Sequence, residues 1–306
     1  MPESGPVRLD FSDIRSLAYL GLKDLVASRS FEMEQTANAV VFTRQTDSGL
    51  VFERTVRLGD RYLMEVKDSF ENRSAHPLEI PRHQIQLGAM RNLEGETIMM
   101  GFNALSVDSL SPGKKVKHWG GRLNKITKKS TGLARERQER PVDWMAAKNK
   151  YFTQALLPDN GGEAVTLYAH KSDASEPIDY VYSSVEFGNE VVTANNVYER
   201  NMKLYLGPKK LSELEKMGND YSRIMEMGYL PGISEIMLKL LNMINGITFG
   251  NYGMAIILMT FFLKVLFWPI THRGNESMRR MQEFAPKIKE IGEKYKDNPQ
   301  KKQTEL

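Results

Sequence analysis

The chain has 306 residues, 41% of them hydrophobic and 26% charged, which excludes a disordered chain and leaves apolar surface for one large or two modest domains. A mean hydropathy of −0.43 excludes a polytopic membrane protein. Cysteine is absent, so there is no disulfide framework, thiolate metal site or Cys nucleophile, and the net charge of +4 matters only where it is localised.

Met1 to Leu20 lacks the apolar core of a signal peptide, because Arg8, Asp10, Asp13 and Arg15 interrupt it. The next two hundred residues read as β-structure. Val51–Leu58 and Arg61–Phe70 are alternating runs joined by Gly59-Asp60, a hairpin signal. Ala164–His170, Ile178–Phe187 and Val197–Leu206 are further strands, and short strands at this spacing predict a sandwich or barrel. Leu211–Met217 reads as a short helix closing the domain, followed by a connector over Asn219–Gly232.

The apolar content then rises. Leu240 to Leu263 holds no charge over 24 residues, broken by the turn residues Gly250-Asn251-Tyr252-Gly253. Before the break, Ile236, Met237, Leu240, Leu241 and Ile244 recur at helical spacing and predict an amphipathic helix over Ser234–Asn245. After it, Tyr252–Ile270 is apolar all round except at Lys264, and spans roughly 28 Å as a helix, the thickness of a bilayer core. Trp268 and Pro269 stand where an interfacial end belongs, which favours a transmembrane helix over a buried core helix.

Nine Lys and Arg follow the span between Thr271 and Leu306, against Arg223 and Lys239 alone in the segment from Asn219 to Asn251, so the positive-inside rule puts the tail in the cytoplasm and the preceding domain in the periplasm. In the tail, Met278, Met281, Phe284 or Ala285, Ile288, Ile291 and Tyr295 mark one helical face with a basic polar side opposite. Pro286 is expected to kink this helix or begin a second segment. Asp297-Asn298-Pro299 reads as a turn and a new helix start, so the tail reads as a helical hairpin whose second arm is cut short.

The remaining polar positions carry no specific signature of catalysis. The five histidines show no metal-ligand spacing, and the sequence holds no cofactor, metal or nucleic-acid motif and no enzyme signature. Gly113-Lys114 resembles the end of a phosphate loop, but Asp108 and Lys115 stand where Gly and Ser or Thr belong. Asn72-Arg73-Ser74 fits a glycosylation triplet. Pro112–Arg140 concentrates ten Lys and Arg against Glu136 and Glu139. Its lysines Lys114, Lys115, Lys117, Lys128 and Lys129 either form a patch for anionic lipid or an acidic partner, or simply line an exposed, mobile loop of the sheet.

Several runs resemble the YidC-type (YidC/Oxa/Alb) membrane protein insertases. These are Asn251-Tyr252-Gly253, Ile256–Thr271, Ser277-Met278 and Ala285-Pro286-Lys287-Ile288. Trp144 with Tyr151-Phe152 and Leu157-Pro158, the run Leu206-Gly207-Pro208-Lys209, and Pro77-Leu78-Glu79-Ile80 add to them. The resemblance implies a multi-domain membrane protein. Its expected parts are a periplasmic all-β sandwich of the β-supersandwich kind over 1–217, a connector over 218–233, an interfacial amphipathic helix over 234–249, a transmembrane helix over 250–270 and a truncated cytoplasmic hairpin over 271–306. It also implies an N-terminal anchor and four further spans that the 306 residues do not show.

For function, the resemblance implies an insertase of the bacterial inner membrane that works through a hydrophilic groove, alone or with the Sec translocon. The partners it implies are nascent membrane proteins, the lipid bilayer, the ribosome and a targeting factor. The family's groove arginine falls on Lys264, and Thr260 lies one turn earlier on the same face. A membrane-embedded cation costs on the order of 3 kcal/mol, so Lys264 either faces a wet groove or snorkels to headgroups about 9 Å away. Met278, Met281, Ile288 and Ile291 form the hairpin's contact face. Two other classes remain: a tethered sandwich binding a carbohydrate or chaperone client through Trp144, Tyr151, Phe152 and Tyr168, and a sugar-modifying enzyme on the same scaffold.

Overall fold

The computed structural model describes residues 11–25, 30–93, 105–128, 131–173, 176–218, 221–227 and 230–294. The chain divides into two compact units, Met1–Glu226 and Met227–Leu306. In the first, the strands are β1 (Tyr19–Leu20), β2 (Glu32–Gln35), β3 (Ala39–Gln45), β4 (Leu50–Leu58), β5 (Leu63–Asn72), β6 (Leu78–Ile80), β7 (His83–Gln86), β8 (Met90–Arg91), β9 (Ser106–Leu110) and β10 (Lys117–His118). After helix α1 (Gly120–Thr127) come β11 (Gly132–Gln138), β12 (Trp144–Lys148), β13 (Phe152–Pro158), β14 (Ala164–Lys171), β15 (Tyr180–Phe187), β16 (Glu190–Val192) and β17 (Val197–Pro208).

These strands form a β-sandwich. One sheet has the order β1-β7-β15-β14-β11, with β8 also on β15; the other has nine strands in the order β10-β9-β12-β13-β17-β5-β4-β3-β2. A ribbon of β16 and β6 stands beside them. Alternation sends one side of each strand inward. Val165, Leu167 and Ala169 of β14 meet Val66 and Phe70 of β5 and Met202 and Leu204 of β17 in one core, while Thr166, Tyr168 and His170 turn away from it. The predicted hairpin is present: β4 pairs with β5 from Leu50 opposite Asn72 to Leu58 opposite Met64, but the turn takes the four residues from Gly59 to Tyr62, so Arg61 and Tyr62 belong to it and not to the strand.

A charged cluster lies inside this core. Arg54 and Asp68 are opposite each other on β4 and β5 and point inward between apolar neighbours. The guanidinium grips the carboxylate with Nε at 2.6 Å and Nη2 at 2.7 Å. Tyr19, from the other sheet, donates its hydroxyl to the same carboxylate, and Arg54 also donates to the Leu17 carbonyl. The pair therefore ties the two layers together. Burial and the Asp68 charge raise the Tyr19 pKa well above that of a free tyrosine. Beside it, Arg200 donates to Nε2 of buried His83 at 2.7 Å. Arginine only donates, so Nδ1 carries the imidazole proton and donates to the Pro81 carbonyl at 2.8 Å. Burial, then the Arg200 charge, push the His83 pKa down to about 4.

The nine-stranded sheet has a second core on its outer face. Leu110, Trp144, Ala146, Ala155 and Tyr205 alternate with the inward residues of β9, β12, β13 and β17 and pack under the segment from Leu211 to Glu226. That segment is a short helix α2 (Leu211–Leu214) continued by 3₁₀ turns at Glu215–Met217 and Tyr221–Met225. Leu211, Glu213, Leu214, Tyr221 and Ile224 are its buried residues, and the Tyr221 ring lies 5.0 Å from that of Trp144.

The sequence places Asn72 in a glycosylation triplet, but its side chain is buried. Nδ2 donates to the His76 and Val192 carbonyls at 2.8 Å each, and Oδ1 accepts from the Ser74 amide and hydroxyl. It is the hub of a turn.

Asp68→Asn leaves Arg54 buried without a countercharge and is expected to destabilise the sandwich by roughly 3–5 kcal/mol in denaturant unfolding, with most of the loss recovered in Arg54→Met/Asp68→Leu. A second expectation concerns acid. His83 is neutral when folded and protonates more readily when unfolded, so the unfolded state binds more protons between pH 6.5 and about 4. Stability should therefore fall through that window as pH drops, by up to roughly 3 kcal/mol from this residue. His83→Gln should flatten the curve measured by unfolding at stepped pH.

Candidate functional site

Two helices make up the described part of the second unit. Helix α3 (Pro231–Ile247) starts with Pro231 in its first turn, where a missing N–H costs nothing. Ser234 Oγ donates to the Met227 carbonyl at 2.9 Å. The half-buried stripe Met237, Leu238, Leu241 and Ile244 lies on one side, while Ile233, Ile236, Met243 and Ile247 are exposed on the other. The helix that the spacing predicts is present, extended by a few residues at each end, but its half-buried stripe is rotated: Leu238 joins it and Ile236, expected on it, is exposed. It ends at Thr248, after which Phe249 and Gly250 both take positive φ, at 53° and 82°. Gly250 adopts that backbone without a Cβ clash; Phe249 does so with its ring fully exposed. Asn251 then caps the next helix, its Oδ1 accepting from the Met254 amide at 3.2 Å.

Helix α4 (Tyr252–Lys294) is 43 residues long, roughly 64 Å. Its stretch Tyr252–Glu276, whose most apolar 18 residues have a mean hydropathy of 2.0, is the one helix among the described residues long and apolar enough to cross a membrane. The predicted span stops at Ile270, whereas the helix runs on through Pro269 and Pro286. Each proline removes one backbone donor, and the neighbouring turns hold the helix together; Thr271 Oγ1 adds a bond to the Phe267 carbonyl at 3.0 Å. Tail and span are thus one helix, and the expected second segment after Pro286 does not begin there. The second arm of the predicted hairpin, from Tyr295 onward, lies outside the described residues.

Ala255 is buried, and Met259 and Leu263, one and two turns on, are half-buried, on the side packed against α3. Thr260 and Lys264 sit one turn apart and are both exposed. Lys264 lies about 140° around the helix from the centre of the packed stripe, so α3 does not cover it. Thr260 Oγ1 donates to the Ile256 carbonyl of its own helix, which leaves its lone pairs outward. Lys264 has neither ion pair nor hydrogen bond among the described residues. It lies six residues, roughly 9 Å of helix, before Ile270, where the apolar run ends. Met278 and Met281 are exposed further along the same helix; Ile288 and Ile291 belong to its backbone run.

The basic segment of the sandwich is not a loop. It forms β10, α1 and β11, anchored by buried Trp119 and Leu123, because these two side chains join the main core. Trp119 Nε1 donates to Ser109 Oγ at 2.8 Å, and Lys117 Nζ lies 3.8 Å from the centre of its ring. Lys114 and Lys115 are exposed on the turn before β10, and Lys128 is exposed at the far end of α1, about 12 Å of helix away. Lys129 lies outside the described residues. Arg122 is committed to Glu136 at 2.6 Å.

The aromatics considered for a ligand cleft are dispersed. Trp144 is fully buried under Tyr221, and Tyr168 stacks on Tyr182 at 4.3 Å in the other sheet. Tyr151 is exposed at a turn and Phe152 packs on the main core. Among the described residues no group of three His, Asp or Glu could hold a metal ion. What sequence reading missed is a buried polar cluster of Lys148, Asp108 and His118 on the outer face of the nine-stranded sheet. A lysine ending an otherwise apolar strand was the available signal.

Two family models match consecutive parts of this chain: the YidC periplasmic domain over residues 25–240 and the 60Kd inner membrane protein over residues 243–306. The membrane protein insertase YidC of Prosthecochloris aestuarii is 33% identical over 204 residues, covering 65% of this chain and 34% of that protein. That of Citrifermentans bemidjiense is 27% identical over 259 residues, covering 84% and 45%. The chain thus spans about a third to just under half of the length of these relatives. Among solved structures, a GalM/aldose epimerase homologue from C. elegans shares 10% identity at a TM-score of 0.39 over 61% of this chain and 71% of that one, a likeness too distant to bear on function. With a β-sandwich followed by a membrane-length helix, and with both models matched, the chain belongs to the YidC family of inner membrane proteins.

Proposed function

We propose that this chain is part of a membrane protein insertase, in which α4 lines a polar groove and Lys264 with Thr260 meets the hydrophilic part of a nascent membrane protein. In this reading the sandwich lies in the periplasm, α3 rests at the membrane surface on its exposed isoleucines, α4 spans the inner membrane, and the tail is cytoplasmic. The tail's Met278, Met281, Ile288 and Ile291 meet the ribosome, a targeting factor or the emerging chain, and the Sec translocon is a further partner. Lys114, Lys115, Lys117 and Lys128 face anionic lipid or an acidic partner.

The observation that carries the reading is a cation inside the apolar run Tyr252–Ile270, without a partner among the described residues, on the side of α4 that α3 leaves open. A lysine stem reaches about 6 Å, short of the roughly 9 Å of helix between Lys264 and the end of the apolar run at Ile270, and Thr260 places a second polar group one turn deeper, so a hydrated groove suits the charge better than the headgroups. Such a groove lowers the cost of passing polar residues partway across the bilayer. The substrate's apolar helix then leaves sideways into lipid, driven by burial of its surface. No covalent step is needed.

Lys and Arg differ here. Lys264 is a point charge without a planar fork, so it suits a moving, poorly oriented partner more than a fixed bidentate one. The test replaces the matching segment of a full-length relative with residues 243–306 and depletes the host's own insertase. Lys264→Ala should insert clients about tenfold more slowly, Lys264→Arg should stay within about twofold of the parent, and a photo-crosslinker at position 264 should capture nascent chain. Full activity of the Ala variant across several clients, with crosslinks to lipid alone, would remove Lys264 from the route.

A further inference from the structure

The segment Leu211–Glu226 is the last part of the sandwich unit, and the second unit begins at Met227. Beneath it lies Lys148, at the end of β12, with 1% of its surface exposed. A buried ammonium must place all three of its N–H groups. Lys148 Nζ is 2.6 Å from Asp108 Oδ2, 2.9 Å from the Ile224 carbonyl and 3.1 Å from Glu226 Oε2. Asp108 is itself fully buried, and its other oxygen is 2.9 Å from His118 Nδ1. Both hydrogen bonds that Lys148 donates, to the Ile224 carbonyl and to Glu226, therefore end on the covering segment, while Asp108 of the sheet meets it as an ion pair.

The rest of the segment is held in ways that release together. Tyr221 and Ile224 are buried against Trp144 and Ala146, and Leu214 fills the same cluster. At the other end Arg61 pairs with Glu213. Gly218, at φ 70°, turns the chain between the two halves. Lifting Tyr221–Glu226 exposes their apolar surface and, in the same motion, strips Lys148 of two partners. Partial lifting gains nothing, since an ammonium left with one carboxylate in a half-dry cleft is the costliest arrangement.

We propose that Leu211–Glu226 is a detachable strap on the outer face of the nine-stranded sheet and that Lys148 is its latch, so that release bares the Trp144 face of the sheet and the ammonium in one step. The proposal is independent of the insertion reading, since it concerns the first unit alone.

Limited trypsin digestion and amide hydrogen exchange on the full chain in nanodiscs test it. Lys148→Met/Asp108→Asn removes both buried charges at once, so that no uncompensated carboxylate remains. It should speed cleavage after Arg223 and exchange across Tyr221–Glu226 about tenfold while exchange in β4 and β5 stays unchanged. Glu226→Gln keeps the Lys148–Asp108 pair and weakens one latch contact; it should speed strap exchange about threefold. Wild-type strap rates in both variants would mean that apolar packing alone holds the segment and would overturn the latch. Acceleration spread evenly over the strap, β4 and β5 would overturn it as well, because the lysine would then hold the whole sandwich. If the double variant fails to fold, Glu226→Gln decides alone, and an unchanged strap rate refutes the proposal.

Discussion

Placing a positive charge away from water sets the terms for this molecule in three places, and each has a different answer. Arg54 lies in the main core and is neutralised by Asp68 directly across the strand pair, with Tyr19 closing the carboxylate from the opposite sheet. Lys148 lies in the outer core and divides its donors between the sheet and the segment that covers it. Lys264 lies in the apolar stretch of α4 and has no partner from this chain among the described residues. The first two charges organise the fold. The third finds no countercharge among the described residues, and the proposal of a polar groove rests on that.

The sandwich also protects its open edges. β2, at one end of the nine-stranded sheet, presents Glu32 and Glu34, and β11, at the edge of the other sheet, presents Arg135, Glu136 and Arg137. The other end of the large sheet is the two-residue β10. Charged or very short edges resist pairing with another chain. Stability is thus invested in the layers and in the strap, and the edges are kept unattractive.

Much of this was legible in the residues because both periodicities are strong. The β4–β5 hairpin follows from alternation plus Gly59-Asp60, and α3 follows from its three- and four-residue steps. Other features were hidden for identifiable reasons. Trp144-Met145-Ala146-Ala147-Lys148 does not alternate, because the strap buries its outer face as well as its inner one, and a short run buried on both faces has no period to read. α1 was masked by its basic neighbours, while the two buried side chains that fix it, Trp119 and Leu123, stand a single turn apart. The length of α4 was underestimated because proline is a helix breaker in water, where no membrane or neighbouring turn offsets the lost bond. Thr260 and Lys264 were found where the structure has them, one turn apart. The role proposed for them comes from the resemblance and not from periodicity.

The buried Asn72 has a practical side. Its triplet is a substrate for oligosaccharide transfer as long as the chain is unfolded, since that reaction reads extended polypeptide in the lumen of a eukaryotic secretory pathway. A sugar on Nδ2 would take one of the hydrogens that Asn72 gives to His76 and Val192, and its bulk has no room beside β5. Secretion of this domain from yeast or animal cells therefore sets glycan attachment against native closure of the turn, whereas a bacterial host presents no such competition.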